Sequence, residues 1–235
     1  MRYARSIWLA FSLFSLALPS LAADLVFLDT PPGQERLLRS ERHHQFFAVQ
    51  PFLEFQQNLA FCGPASIAAT LNSLGIARPA VATLGPYRYF TQDNIFNPVT
   101  EAIKQREAVA TRGMTLAELA GFLKALGVQA ESRHADTLDL DRLRSLIETS
   151  LADSSVRLIV NYNRQRLGQA GAGHQSPLAA YDRASDSALL LDVAKFKYPP
   201  TWVPLADLLA AMQSVDSDSG KSRGLVIVRK LPAAP

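Results

Sequence analysis

The segment Gln56-Gln57-Asn58-Leu59-Ala60-Phe61-Cys62-Gly63-Pro64-Ala65-Ser66, continued by residues 67–75, contains the only cysteine of a 235-residue chain. No charged side chain occurs between Pro64 and Gly75, and Ile67, Leu71 and Leu74 recur at the spacing of one helical face. Pro64 suits a first helical turn, where a missing N–H costs little. Gly75 suits a left-handed C-terminal cap. Together these features predict a short, largely buried helix with Cys62 at its N-terminal tip. The partial positive charge and free N–H groups of a helix N-terminus favour thiolate over thiol. Gln56, upstream of the cysteine, supplies an amide able to donate to an oxyanion beside the sulfur. A lone cysteine on an apolar helix is otherwise a small buried hydrophobe, so the chemical reading requires a base and an acid elsewhere.

Upstream, residues 1–23 read as a secretory signal. Arg2 and Arg5 precede an apolar run from Ile7 to Leu18, and small residues follow at Ala22 and Ala23. The run is short for a membrane span. The expected mature chain, 24–235, is a single catalytic domain exported to the periplasm or secreted, with no membrane span. Losing Arg2 and Arg5 takes the net charge from +3 to +1, 22 basic residues against 21 acidic. Charge therefore gives no argument for a nucleic-acid partner. One cysteine cannot form an internal disulfide, and in an exported protein it is a candidate reactive thiol.

Glu35, Arg36, Arg39, Glu41 and Arg42 suggest an exposed, salt-bridged helix. The pair His43-His44 has no nearby Cys or acid cluster to complete a metal site. Residues 77–98 carry Pro79, Gly85, Pro86 and Pro98 and read as a loop. Val99 to Ala110 reads as helix. Thr115-Leu116-Ala117-Glu118 is a capping box that opens a helix closed by Gly127. Asp139 to Leu151 is an amphipathic helix striped by Leu140, Leu143, Ile147 and Leu151. Strands are predicted over Arg157–Tyr162, Gly173–Tyr181, Ala188–Val193 and Gly224–Arg229, with a helix from Pro204 to Met212. Helices first and antiparallel sheet second is an α+β arrangement.

A cysteine hydrolase needs a base to take and return a proton, and a group to orient that base. His174 opens a strand after a glycine-rich loop. A hairpin centred near residue 183 would set Asp192 opposite it, with the carboxylate beside the imidazole. Cys62, His174 and Asp192 then form a candidate triad on a helix tip and two strands. Two motifs nearby fail on their own terms. Asp216-Ser217-Asp218-Ser219-Gly220 starts like a calcium loop, but Ile227 stands where the bidentate Glu belongs. Gly220-Lys221-Ser222 ends like a phosphate loop, but its first glycine is replaced by Val215.

Phe61-Cys62-Gly63-Pro64-Ala65-Ser66 with Leu71-Asn72-Ser73-Leu74, Phe90-Thr91-Gln92-Asp93-Asn94, Gly113-Met114-Thr115-Leu116, Gly173-His174-Gln175-Ser176-Pro177-Leu178 and Asp192-Val193-Ala194-Lys195-Phe196-Lys197-Tyr198-Pro199-Pro200 resemble the phytochelatin synthase family, and in particular its short bacterial members. The likeness runs from about residue 50 to 230. It implies a papain-like fold: a helical N-terminal lobe packed on an antiparallel sheet, with the active site between them. It implies glutathione as donor and water or a second glutathione as acceptor. Cys62, His174 and Asp192 would be catalytic, with Gln56 and the Cys62 N–H on the oxyanion. Asn161, Gly173, Asp216 and Arg223 would bind the γ-glutamyl head, Arg223 its carboxylate and Asp216 its ammonium. No tightly bound cofactor or protein-held metal is implied; cadmium or zinc would arrive as glutathione thiolate complexes. The oligomeric state, homodimer included, is left open.

Two rivals stand beside this reading. One is a leader-peptide-processing cysteine peptidase, which also places Gln six residues before Cys; the Phe196–Pro200 segment argues against it. The other is a non-catalytic thiol or heavy-metal-binding protein, for which one cysteine is a poor soft-metal site.

Overall fold

The computed structural model describes residues 23–232, so the expected signal segment lies, but for its last residue, outside the described residues. The first element of the described residues is a two-residue strand β1 (Val26–Phe27), followed by helices α1 (Pro31–Arg39) and α2 (His44–Val49). The cysteine helix α3 (Cys62–Ser73) follows, then α4 (Pro98–Glu101), α5 (Arg106–Arg112) and α6 (Leu116–Ala125). β2 (Gln129–His134), α7 (Leu140–Ala152), β3 (Val156–Asn163), β4 (Gly173–Asp182), β5 (Ser187–Leu190), β6 (Thr201–Pro204), α8 (Leu205–Gln213) and β7 (Gly224–Arg229) complete it. Among the described residues no helix is long and apolar enough to cross a membrane.

Local chemistry starts these helices. The Thr115 hydroxyl accepts from the Glu118 amide, and the Glu118 carboxylate accepts from the Thr115 amide at 2.7 Å. That reciprocal pair satisfies N–H groups a helix start leaves open. Asp139 caps α7 by accepting from the Arg142 amide. Asn97 and Thr100 form a second capping box before α4. The helix expected over Val99–Ala110 is in fact two short helices, α4 and α5. The intervening turn lets Lys104 bury its side chain and pair with Glu118 at 3.0 Å.

Helix α3 is buried from Cys62 through Asn72. Its sequence is apolar or small all round, so it suits a helix enclosed on every side rather than an amphipathic one. Gly75 has φ +59° and turns the chain out of the helix. Three cations meet the carbonyls at that end: Arg157 donates to Ser73 O, Arg78 to Asn72 O and Lys230 to Gly75 O. They satisfy groups the helix leaves orphaned and complement its negative end.

Among the described residues the seven strands form one antiparallel sheet in the order β1-β6-β5-β4-β3-β7-β2. The fold is thus α+β, but the split into a helical half and a sheet half is incomplete. β1 and β2 both precede α7, outside the run of strands expected from the sequence, and take the two edges of the sheet. β2 is polar (Gln-Ala-Glu-Ser-Arg-His), which suits an edge strand and conceals it from a hydrophobicity-based reading. Helices also cover both faces. Residues of α3 and α6 pack on Ile159, Val226 and Val228, whereas α7 and α8 pack on Leu158, Val160, Leu178 and Leu225. Odd and even positions of β3 therefore serve opposite cores, which explains its nearly uninterrupted burial. A third apolar cluster joins Ala65 and Ala69 of α3 to Leu189, Leu191 and Trp202 and carries Cys62 at its margin. It fixes the cysteine tip against the β4–β5 side of the sheet.

Candidate active site

Cys62 is the first residue of α3 and is 8% exposed. Burial alone would push its thiol up. A hydrogen bond and charge from His174, with the amides of Gln175 and Gly63, more than reverse this and hold the thiol below its ordinary value. His174 is the second residue of β4. Burial disfavours its charge, but the Asp192 carboxylate and the Cys62 sulfur outweigh burial and raise its pKa. Both shifts run in the direction of a buried thiolate–imidazolium pair. His174 Nε2 lies 2.9 Å from Asp192 Oδ1. A carboxylate only accepts, so Nε2 carries the proton and Nδ1 is left for the sulfur. The ring also meets Tyr162 edge-on, 5.7 Å between centroids.

Asp192 reaches the ring by a different route from the hairpin register expected above. The β4–β5 pairing sets Asp182 opposite Ser187, so its centre lies beyond residue 183. The turn is wider because Arg183–Ser185 form a 3-10 turn and Asp186 takes φ +45°. An irregularity between Leu178 and Ala180 adds a residue to β4. β5 then ends at Leu190, two residues before Asp192. The carboxylate is aimed by the loop instead: Oδ1 accepts from the Ala194 amide at 2.7 Å. Burial pushes this carboxyl up, but His174 and Arg164 hold it below the usual range.

Gln56 is buried, and its main-chain N–H donates to Val193 O, tying it to the loop that carries Asp192. Its Nε2 donates to Asn58 O at 2.6 Å. That contact uses one of the two amide hydrogens and leaves the other for a ligand.

Cys62, His174, Asn161, Gly173, Asp216 and Arg223 line one cavity of about 270 Å³. Arg223 donates to Asn161 Oδ1 at 2.8 Å and pairs with Asp216 Oδ1 at 3.1 Å. These three were expected to address different parts of a ligand, and they are also bonded to one another. Asn161 Nδ2 and Arg223 Nε are buried and have no hydrogen-bond partner among the described residues. Buried donors without acceptors are uncommon, and these belong to residues lining the cavity beside the thiol. Gly113 and Met114 also line it. Gln175 donates to Met114 O at 2.7 Å.

The most prominent residue that sequence reasoning missed is Arg164. It follows β3, is 2% exposed, and donates to both oxygens of Asp192 at 2.8 and 2.7 Å. An arginine in a polar stretch reads as a solvated surface charge, and nothing local distinguishes this one.

The phytochelatin synthase family model matches residues 16–225. Glutathione gamma-glutamylcysteinyltransferase 2 of Arabidopsis thaliana is 32% identical over 219 residues, 93% of this chain and 47% of the relative. Glutathione gamma-glutamylcysteinyltransferase 1 of Lotus japonicus is 32% identical over 185 residues, 79% of this chain and 36% of the relative. The Schizosaccharomyces pombe glutathione gamma-glutamylcysteinyltransferase is 27% identical over 197 residues, 83% of this chain and 46% of the relative. The chain spans less than half the length of each of these relatives.

Proposed function

This chain belongs to the phytochelatin synthase family, and we propose that it is a thiol acyltransferase with a papain-like active site that cleaves the Cys–Gly bond of glutathione. The observation that carries this reading is a buried thiol–imidazole–carboxylate series opening on a cavity whose wall holds unpartnered donors. The Cys62 thiolate attacks the carbonyl carbon of the Cys–Gly peptide bond. The Cys62 N–H and the remaining Gln56 amide hydrogen face the oxyanion. His174 gives its proton to the departing glycine nitrogen as the C–N bond breaks. A γ-glutamylcysteinyl thioester on Cys62 and free glycine result. Neutral His174 then takes a proton from water, or from the amine of a second glutathione, as that nucleophile displaces the thiolate. Water releases γ-glutamylcysteine, and glutathione as acceptor yields the shortest phytochelatin. Hydrolysis is the dominant outcome in this proposal.

The γ-glutamyl head has an α-carboxylate and an α-ammonium. Arg223 and Asn161 Nδ2 suit the first and Asp216 the second. No resident metal takes part. Cadmium or zinc, where involved, travels on the glutathione thiols as part of the substrate. The apolar run at the N-terminus supports export to the periplasm or beyond. Brief exposure of purified protein to glutathione, followed by intact-mass analysis, tests the reading. A γ-glutamylcysteinyl adduct on Cys62 with equimolar glycine is expected. No adduct and no glycine, with Cys62→Ala indistinguishable from the unaltered chain, would overturn it.

A further inference from the structure

We propose that Arg164 is a positioning residue of this site: its guanidinium fixes Asp192 as the anion that orients His174. The inference rests on the Cys62–His174 reading above but not on the identity of the substrate.

The Arg164 side chain is held on every side. Nη2 donates to both Asp192 oxygens, and Nη1 donates to Gln169 Oε1 at 2.7 Å. The guanidinium carbon lies 5.2 Å from the Tyr198 ring centre and 6.0 Å from that of Tyr162. The loop leading to His174 closes around it. Arg164 N donates to Ala172 O, and Gln169 N donates to Arg164 O. Gly171 has φ +114°, and a Cβ there would come within 3.2 Å of Arg164 Cδ. The segment that delivers His174 is thus wrapped on the residue that holds Asp192.

Charge balance gives the arrangement its purpose. The titratable and charged groups around Asp192 are His174 from β4, Cys62 from α3, Tyr162 from β3, Arg164, and Tyr198 and Lys197 from the loop after β5. In the working state Cys62 and Asp192 are anions and His174 is a cation. That triad alone would bury one net negative charge, which is unfavourable in a medium of low dielectric. Arg164 makes the set neutral, and a guanidinium cannot lose its proton in this pH range. Without it, Asp192 takes up a proton at higher pH, the imidazolium loses its counter-charge, and the thiolate is lost with it.

Alkylation of Cys62 by iodoacetamide, measured against pH, tests this. Cys62 is the chain's only cysteine, so the signal needs no glutathione. In Arg164→Ala the acid limb of the alkylation profile is expected to move toward neutral pH. At the midpoint of the unaltered protein's limb the rate falls about tenfold. Added guanidinium chloride at millimolar concentration restores it. Arg164→Gln keeps bulk and a hydrogen-bond donor but no charge, and its limb moves the same way; it serves if Arg164→Ala does not fold by circular dichroism. A role limited to packing would lower the amplitude and leave the limb in place. A folded variant whose limb coincides with that of the unaltered chain, or a folded Arg164→Ala that guanidinium does not restore, would overturn the proposal. Failure of the unaltered protein to release glycine from glutathione would refute the substrate reading and leave these profiles interpretable.

Discussion

Gly173 holds the guanidinium of Arg223 directly against its α-carbon: a Cβ built there falls 2.4 Å from Nη1 and 2.7 Å from Nη2. No side chain fits without moving Arg223, and Arg223 is tied to Asn161 and Asp216. Gly173→Ala is therefore expected to displace the guanidinium from the end of the cavity proposed to take the γ-glutamyl head. Losing one charge-assisted hydrogen bond there is worth about 1.5–3 kcal/mol, or roughly a tenfold to hundredfold rise in KM for glutathione. Steady-state kinetics would show this with kcat less affected. An unchanged KM would mean that Arg223 does not bind substrate.

Gln56 offers one free amide hydrogen once Nε2 has bonded Asn58 O. If that hydrogen meets the oxyanion, Gln56→Ala lowers kcat by roughly a hundredfold or more. The alkylation rate of Cys62 stays near that of the unaltered protein, because the thiolate is held by His174 instead. Parallel loss of both rates would assign Gln56 to the architecture of the site rather than to the transition state.

Arg157 is buried and donates to Ser73 O, Ser73 Oγ, Ser154 O and Val156 O without a carboxylate partner among the described residues. Burial holds its pKa below the usual guanidinium value. Arg157→Met keeps the bulk and leaves those carbonyls without a donor. Chemical denaturation is expected to show a loss of about 1–3 kcal/mol, with turnover per folded molecule retained because the change lies at the far end of α3 from Cys62.

Several carboxyls are held below their ordinary range in the folded chain. At Asp182 burial pushes upward, and the bonds from Arg39 and Ser185 more than reverse it. Arg144 lowers Asp186, and Ser155 with Arg229 brings Asp153 to about 2. A depressed carboxyl contributes stability above its unfolded value, and that contribution disappears as pH falls through the folded value. The share of the denaturation midpoint that these carboxyls carry should be nearly flat from neutral pH to about 5 and decline below about 4, Asp153 being among the last to protonate. Asp182→Asn is expected to lower the neutral-pH midpoint and to make the acid decline shallower. An equally steep decline would place the linkage elsewhere.

The parts of this protein legible in its sequence are those decided within a turn or two of chain. The capping residues of α6 and α7, the departure at Gly75 and the burial of the cysteine helix all follow from neighbours close in sequence. β3, β4 and β7 are apolar enough to declare themselves. β2 is not, because an edge strand beneath a polar surface carries little hydrophobic pattern. The expected opposition of residues 174 and 192 failed because one wide turn and one strand irregularity shift the register. Strand pairing adds such local offsets along the whole hairpin.

By itself the sequence singled out the candidate groups: one sulfur at a helix tip, one histidine at a strand entrance and one acid further along the chain. Only the tertiary structure decided how they are aimed. Asp192 meets the imidazole through the Ala194 amide and the buried Arg164, and Arg223 rests on Gly173 beside them. These contacts join residues far apart in sequence at buried positions. There each unpaired charge is costly, so the arrangement is set by neutralising all of them together rather than by any one segment.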